Sequence, residues 1–396
     1  MAVVLKHAMK PTLNAEDMAR QRFVSGLRVF VLNDLASDMR QAYDTRLVPS
    51  FKQTHGREPA TGAEVHQLMR MDPAFTTYSA LRVTAQKMVW DSVAPVVKRE
   101  QARVNEVASQ ASAGKLTTNP AMPIPRNVSA IDVHFMPGSY VGAGGDDVSP
   151  GATYDQGLAV FSMGLMGANL DDIGLSMSAY VSRKFPAFKP KRILDLGCTI
   201  GHNTLPWKQA YPDAEVIGID VAAGGLKYGA ARAKLQGVDV AFQQMNAEKL
   251  DFPDGSFDLV FSSMFLHELS LKSIGRVFAE IKRVLRPGGL MLHMELPPNT
   301  QMGPFEGFYL DWDCYYNVEP FYKAFRDQEP RDLASRAGFK PEHYFQFVVP
   351  SVGSYGDAAV SEAIAAETHA VNSETTGRLA AGIQWFGFGA WQERAQ

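Results

Sequence analysis

Residues 192–201 read RILDLGCTIG. Ile193 and Leu194 end an apolar run, Asp195 follows, and a turn then carries Gly197 and Gly201. The next stretch, HNTLPWKQAYP, reads as the start of a helix, with Asn203 or Thr204 available as its cap and an apolar stripe behind it. Strand, glycine turn and helix in succession are how a doubly wound α/β sheet opens a nucleotide pocket at the carboxyl end of its first strand. Glycine lets the backbone approach a ligand closely and takes positive φ at little cost. The place of the acid matters more than the glycines. A dinucleotide-binding turn sets its glycines directly after the strand, whereas here a carboxylate, Asp195, comes before the first of them.

In this respect the stretch resembles motif I of class I S-adenosylmethionine-dependent methyltransferases, an acid-x-Gly-x-Gly-x-Gly pattern. Asp195, Gly197 and Gly201 match it, and Thr199 stands where the family carries its middle glycine. The segments downstream keep step with the same family. EVIGID at 215–220 reads as a second strand ending in Asp220, an acid placed to accept both ribose hydroxyls. VDVAFQQ at 238–244 reads as the third strand, followed by Asn246 and Ala247, where the family holds its adenine ring, more often with Asp at the first place. FDLVFSS from Phe257 is the fourth strand and runs into MFLHELS, which sets Met264, Phe265, His267 and Glu268 near the transferred methyl group. A helix with Val277, Ile281 and Leu285 inward ends at RPGG and leads into a fifth strand, LMLHME. HYFQFVV is a sixth strand, then a helical insert runs from Val352 to Arg378, and IQWFGFGAWQ is a seventh strand, antiparallel beside the sixth.

The fold implied is an α/β, Rossmann-like, seven-stranded doubly wound sheet with an antiparallel last strand, preceded by an α-helical N-terminal extension. The resemblance implies S-adenosylmethionine as cofactor. Asp195 would then lie at its methionine amino end, Gly197, Thr199 and Gly201 in the turn beneath it, Asp220 and Val221 at the ribose, and Asn246 and Ala247 at the adenine. Tyr154, in an aromatic segment ahead of the first strand, is the expected closing residue. His267 is the candidate base, because an imidazole titrates near neutral pH. No metal is implied.

The whole chain sets wider bounds. At 396 residues it is long for one domain. A net charge of −3 and the lack of a basic stripe point away from nucleic acid. Two cysteines, Cys198 and Cys314, make neither a disulfide framework nor a metal-ligand spacing. No stretch is apolar for the ~18 residues of a membrane span, and a cytoplasmic protein is expected. Residues 15–112 read as helical, with Phe23, Leu27, Phe30, Val31, Leu35 and Met39 at helical spacing, a helix start at Asp72-Pro73, and Pro95 expected to kink or break its helix. The expected division is a helical extension over 1–125 that acts as a lid or a homodimer interface, a Gly/Asp/Tyr-rich linker over 126–157, and a methyltransferase domain over 158–396. Within that domain the aromatic and acidic insert 297–330, with Trp312, Tyr315, Tyr316, Phe321 and Tyr322, is expected to shape the acceptor site. The partner implied is a small, apolar or aromatic methyl acceptor, with oxygen, nitrogen or carbon as the accepting atom left open. Two alternatives stand beside this reading: a non-catalytic protein that keeps the fold as an interaction module, and a nicotinamide-dependent oxidoreductase.

Overall fold

A computed structural model describes residues 7–111, 115–142, 147–367, 370–372, 375–376 and 382–393. Its centre is an eight-stranded sheet. The strands are β1 (Leu116–Thr117), β2 (Arg192–Leu196), β3 (Glu215–Asp220), β4 (Ala241–Gln244), β5 (Phe257–Ser263), β6 (Leu285–Glu295), β7 (Tyr344–Pro350) and β8 (Gln384–Trp391), in the spatial order β1-β4-β3-β2-β5-β6-β8-β7. β2 pairs in parallel with both β3 and β5, while β8 runs antiparallel between β6 and β7. The seven strands read from the sequence are all present, with the antiparallel last strand in place. The eighth, β1, is a correction: two residues within the span expected as helical extension pair in parallel with Phe242 and Gln243 at the edge.

Apolar runs make the central strands because both faces are covered. On one face Met177, Trp207, Phe242 and Tyr180 pack, the last stacked on Phe347 at 3.6 Å. On the other, Ile274, Val277, Phe278 and Ile281 lie on the helix Leu271–Val284, which is capped by Ser270. Val277 and Ile281 face inward as the periodicity predicted, while Leu285 is a correction: the helix ends at Val284 and Leu285 opens β6.

The N-terminal third is helical, as its periodicity predicted, but its orientation differs. The helix Ala15–Phe30 starts in a capping box made by Asn14 and Asp17, and continues through wider π-helical turns into Ala36–Ala42 and Val48–His55. It buries Gln21, Val24, Ser25 and Arg28, while Phe23 and Phe30 are 61% and 45% exposed. The mostly polar stripe faces inward because the surface it covers is itself polar: Gln21 donates to Ser92 O, Ser25 to Val160 O and Arg28 to Phe161 O. The helix Pro73–Ala111 runs unbroken through Pro95, against the expectation of a break there. The helix Ser149–Phe161 approaches it so closely that a Cβ on Gly157 would lie 2.2 Å from the Trp90 ring. That helix occupies part of the span expected to be linker, so Tyr154 sits on a helix and not in a loop. Of the expected helical insert, Val352–Tyr355 and Asp357–Ala365 are helical, and its end at Arg378 falls outside the described residues.

The insert forms the helices Pro304–Tyr316 and Tyr322–Arg326. It is tied to the long helix by Arg82, whose Nε and Nη2 donate to Asp313 Oδ1 and Oδ2 at 2.5 and 3.0 Å. Arg82 is buried, and stripping its carboxylate strands a charge in the interior. Asp313→Ala should therefore cost about 3–5 kcal/mol in denaturant unfolding, and the double change Arg82→Met with Asp313→Leu should recover most of it. A loss under ~1 kcal/mol for Asp313→Ala would contradict this account.

Candidate functional site

In this sheet the chain order reverses between β3 and β5, on either side of β2, and ligands of open α/β sheets bind in the crevice at the carboxyl ends of the strands at such a point. A cavity of about 320 Å³ lies there. Its wall brings together Asp195, Gly197, Thr199, Asp220, Val221, Asn246, Ala247, Tyr154 and His267, nine of the ten residues singled out from the sequence. Gly201 is not part of the wall. It lies behind the turn, where its N–H donates to Cys198 O at 2.7 Å and an added Cβ would sit 2.6 Å from the Phe242 ring.

The turn has an alternating backbone. Gly197, Thr199 and Gly201 have φ of 69°, 48° and 74°. The left-handed region is costly for a β-branched residue, so Thr199 pays for what the family pattern gets from a glycine. Its N–H is held by Asp220 Oδ2 at 2.9 Å, while Asp220 Oδ1 accepts from Ala222 N at 2.9 Å. Each carboxylate oxygen retains a further acceptor position. Burial nonetheless raises the Asp220 carboxyl above its ordinary value.

Asp195 is also buried. Its Oδ2 accepts from Thr204 Oγ1 at 2.5 Å, and no cation among the described residues pairs with it. Burial therefore pushes its carboxyl up to about 7, with the Thr204 hydrogen bond opposing the rise. This explains why neither expected cap acts as one. Thr204 turns to Asp195, while the Asn203 side chain accepts from Gly174 N and donates to Ser263. Asn246 makes a tight turn by accepting from Glu248 N, and the Val221 carbonyl accepts from Gln244. Tyr154 lines the same cavity as Thr199 and packs at 5.8 Å from Tyr140 and 5.4 Å from His202.

Beyond the turn, the ends of β5 and β6 meet residues that the sequence reading did not join. His267 Nδ1 lies 2.6 Å from Glu295 Oε2, and Glu295 Oε1 accepts from the N–H groups of Phe265 and Leu266. Burial alone would depress the ring, but Glu295 outweighs it and His267 is pushed up to about 9. The Glu295 carboxylate thus holds the ring in place and favours its protonated form. His134 from the linker enters between Glu268 and Glu319, at 3.5 and 3.4 Å, and against the cost of burial these two carboxylates push it up to about 10. Tyr140 donates to Glu268 at 2.9 Å. Among the described residues, no group of three or more His, Cys, Asp or Glu side chains could hold a metal ion.

The insert reaches the cavity with Tyr309, Leu310, Asp313, Cys314, Asn317, Glu319 and Tyr322. Its other aromatics do not. Trp312 stacks on His66 at 3.8 Å, and Tyr315 is 68% exposed. The N-terminal helices add Arg28, Leu32, Arg82 and Trp90 to the wall. Nothing local marked these four. The available signal was a polar face on an otherwise amphipathic helix.

Two outcomes follow from this geometry. Thr199→Gly should stabilise the protein by roughly 1 kcal/mol in chemical denaturation by relieving the left-handed strain, and a loss of stability would show that the Thr199 hydroxyl outweighs it. His134 and His267 both have raised values, so the stability they contribute is present below about pH 6.5, the ordinary histidine value, and is lost as the pH climbs through about 9 and 10. The thermal midpoint should fall over that window, and Glu319→Gln should flatten the fall.

Part of the chain is similar to known proteins. Residues 193–289 match the methyltransferase-domain family. A demethylmenaquinone methyltransferase from Thermus thermophilus is 38% identical over 133 residues, covering 33% of this chain and 58% of that protein. A malonyl-[acyl-carrier protein] O-methyltransferase from Legionella pneumophila is 37% identical over 113 residues, 28% of this chain and 38% of its own. The chain thus spans about half the length of the curated relatives it matches. A Haemonchus contortus phosphoethanolamine N-methyltransferase solved with S-adenosyl-L-methionine is 18% identical, covers 61% of this chain and 57% of its own, and has a TM-score of 0.39. Over residues 193–289 the chain thus carries a methyltransferase domain.

Proposed function

We propose that the protein transfers a methyl group from S-adenosylmethionine to a small molecule held in the same cavity. The observation that carries this reading is the continuity of the cavity, which joins the glycine turn, Asp220 and Asn246 to the ends of β5 and β6 and to the N-terminal helices. Bound at the turn, the cofactor supplies a methyl carbon on a positively charged sulfur, already electrophilic without help from the protein. The residues present fit it. Asp195 has the buried, cation-free carboxyl that an ammonium would complete. Asp220 keeps acceptor positions for two hydroxyls while its backbone partners fix its direction. Asn246 and Ala247 offer the purine a polar edge and an apolar wall.

The chain's own work is then to orient and enclose. Tyr154 and Tyr140 close one side, and the helices Ala15–Phe30 and Pro73–Ala111 act as a lid over the acceptor. Holding two reactants in place accounts for much of the rate in such reactions. Glu268, Glu295 and Glu319 outnumber the imidazoliums His134 and His267 by one, so this end of the cavity favours a positive centre. His267, fixed by Glu295, is a positioning residue that donates a hydrogen bond.

S-adenosylhomocysteine should raise the melting temperature while a nicotinamide dinucleotide should not. Asp220→Ala should weaken S-adenosylhomocysteine binding by about 1–3 kcal/mol in calorimetry. Absence of any heat with the wild-type chain would overturn the reading.

A further inference from the structure

The lid brings a charge into the cavity that the protein itself does not answer. Arg28 is 1% exposed and lines the cavity from the inward face of the first helix. Its Nε donates to the Phe161 carbonyl at 2.9 Å and its Nη1 to Gln86 Oε1 at 2.7 Å, and its guanidinium lies 4.2 Å from the centre of the Phe161 ring. All these partners are neutral. Among the described residues, Nη2 donates to no protein acceptor and no carboxylate pairs with the guanidinium. The nearest acid that could serve, Asp313, is taken up by both arms of Arg82, which shares Gln86 Oε1 with Arg28. Two guanidiniums therefore face one carboxylate at this end. An unpaired charge removed from water is among the costlier features a fold can carry. Burial and the neighbouring Arg82 lower Arg28 toward about 9, still charged at neutral pH.

We propose that Arg28 binds a carboxylate on the methyl acceptor, with Leu32, Trp90, Phe161 and Tyr309 holding the apolar body of the same molecule. The proposal rests on the methyltransferase reading and names its substrate class: a small aromatic or apolar carboxylic acid. Guanidinium and carboxylate match as planar, two-pronged groups. A monoanion balances the excess charge of one. A phosphate dianion would overshoot it in a cavity that also holds Asp313, Glu268 and Glu319. The Phe161 ring meets the Arg28 guanidinium at 4.2 Å and the His134 ring at 6.3 Å, so the apolar wall is shared by the anion-binding group and the carboxylate-bracketed imidazole.

The test is calorimetric titration of the full chain, with S-adenosylhomocysteine first and then with benzoate, benzamide and phenyl phosphate, each in the presence and absence of the nucleoside. Benzoate should bind at least tenfold more tightly than either benzamide or phenyl phosphate. Arg28→Gln should erase that preference, and Arg28→Lys should keep part of it; their S-adenosylhomocysteine affinity reports whether they fold. Equal binding of benzoate and benzamide by the wild-type chain, no binding of benzoate, or tighter binding of phenyl phosphate overturns the proposal without any variant. A chain that ignores S-adenosylhomocysteine but still prefers benzoate would sink the methyltransferase reading and leave the anion site standing, whereas normal nucleoside binding without the preference would do the reverse.

Discussion

The carboxylate of Asp220 ties three parts of the molecule together. It ends β3, accepts from the N–H of Thr199 in the neighbouring turn, and accepts from Ala222 at the start of its own helix. A strained turn survives when its surroundings over-determine it. Here the left-handed Thr199 is pinned by Asp220, and its neighbours Gly197 and Gly201 have no Cβ to resist the same geometry. Tyr154, on the helix Ser149–Phe161, lines the same cavity as Thr199, so the turn and that helix share one wall. The cavity wall is therefore preorganised from its floor upward.

Above that floor the site is held by buried charge. Glu295 fixes His267 and two backbone amides, Glu268 and Glu319 bracket His134, and Asp313 clasps Arg82. Such pairs add little net stability against an apolar core of equal volume, yet breaking one is expensive. A network of this kind specifies position more than it adds strength. It explains how a linker residue, a helix of the extension and an insert far away in sequence converge on one space.

Much of the sheet could be read from the chain because its information is local. RILDLG, EVIGID and FDLVFSS are apolar runs of strand length punctuated by turns, and the acid ahead of Gly197 separates this pocket from a dinucleotide site. The same holds for Asp220 and Asn246, which follow their strands at fixed offsets. The rest depends on contacts between distant segments. Gly201 looked like a ligand contact, but it serves Phe242 from behind. Trp312 and Tyr315 read as part of the acceptor site, but one lies against His66 and the other faces solvent. His267 reads from the sequence as a lone imidazole, and only the packing sets Glu295, 28 residues on, beside it. Arg28 and His134 carry no motif at all, and only the packing of the extension shows what they meet. The reversed amphipathicity of the first helix was in the sequence as Gln21, Ser25 and Arg28 at helical spacing, but hydrophobic periodicity assigns such a face to solvent.

The helix Pro73–Ala111 has 39 residues and is some ~58 Å long. Arg82, Gln86 and Trp90, all on this one rod, touch the cavity wall, the first helix or the linker at His134. A loop can swing aside residue by residue, whereas a continuous helix can only tilt or slide whole. Access to the cavity on this side is thus bounded by one continuous element, and a substitution that broke it would reach the site from a distance.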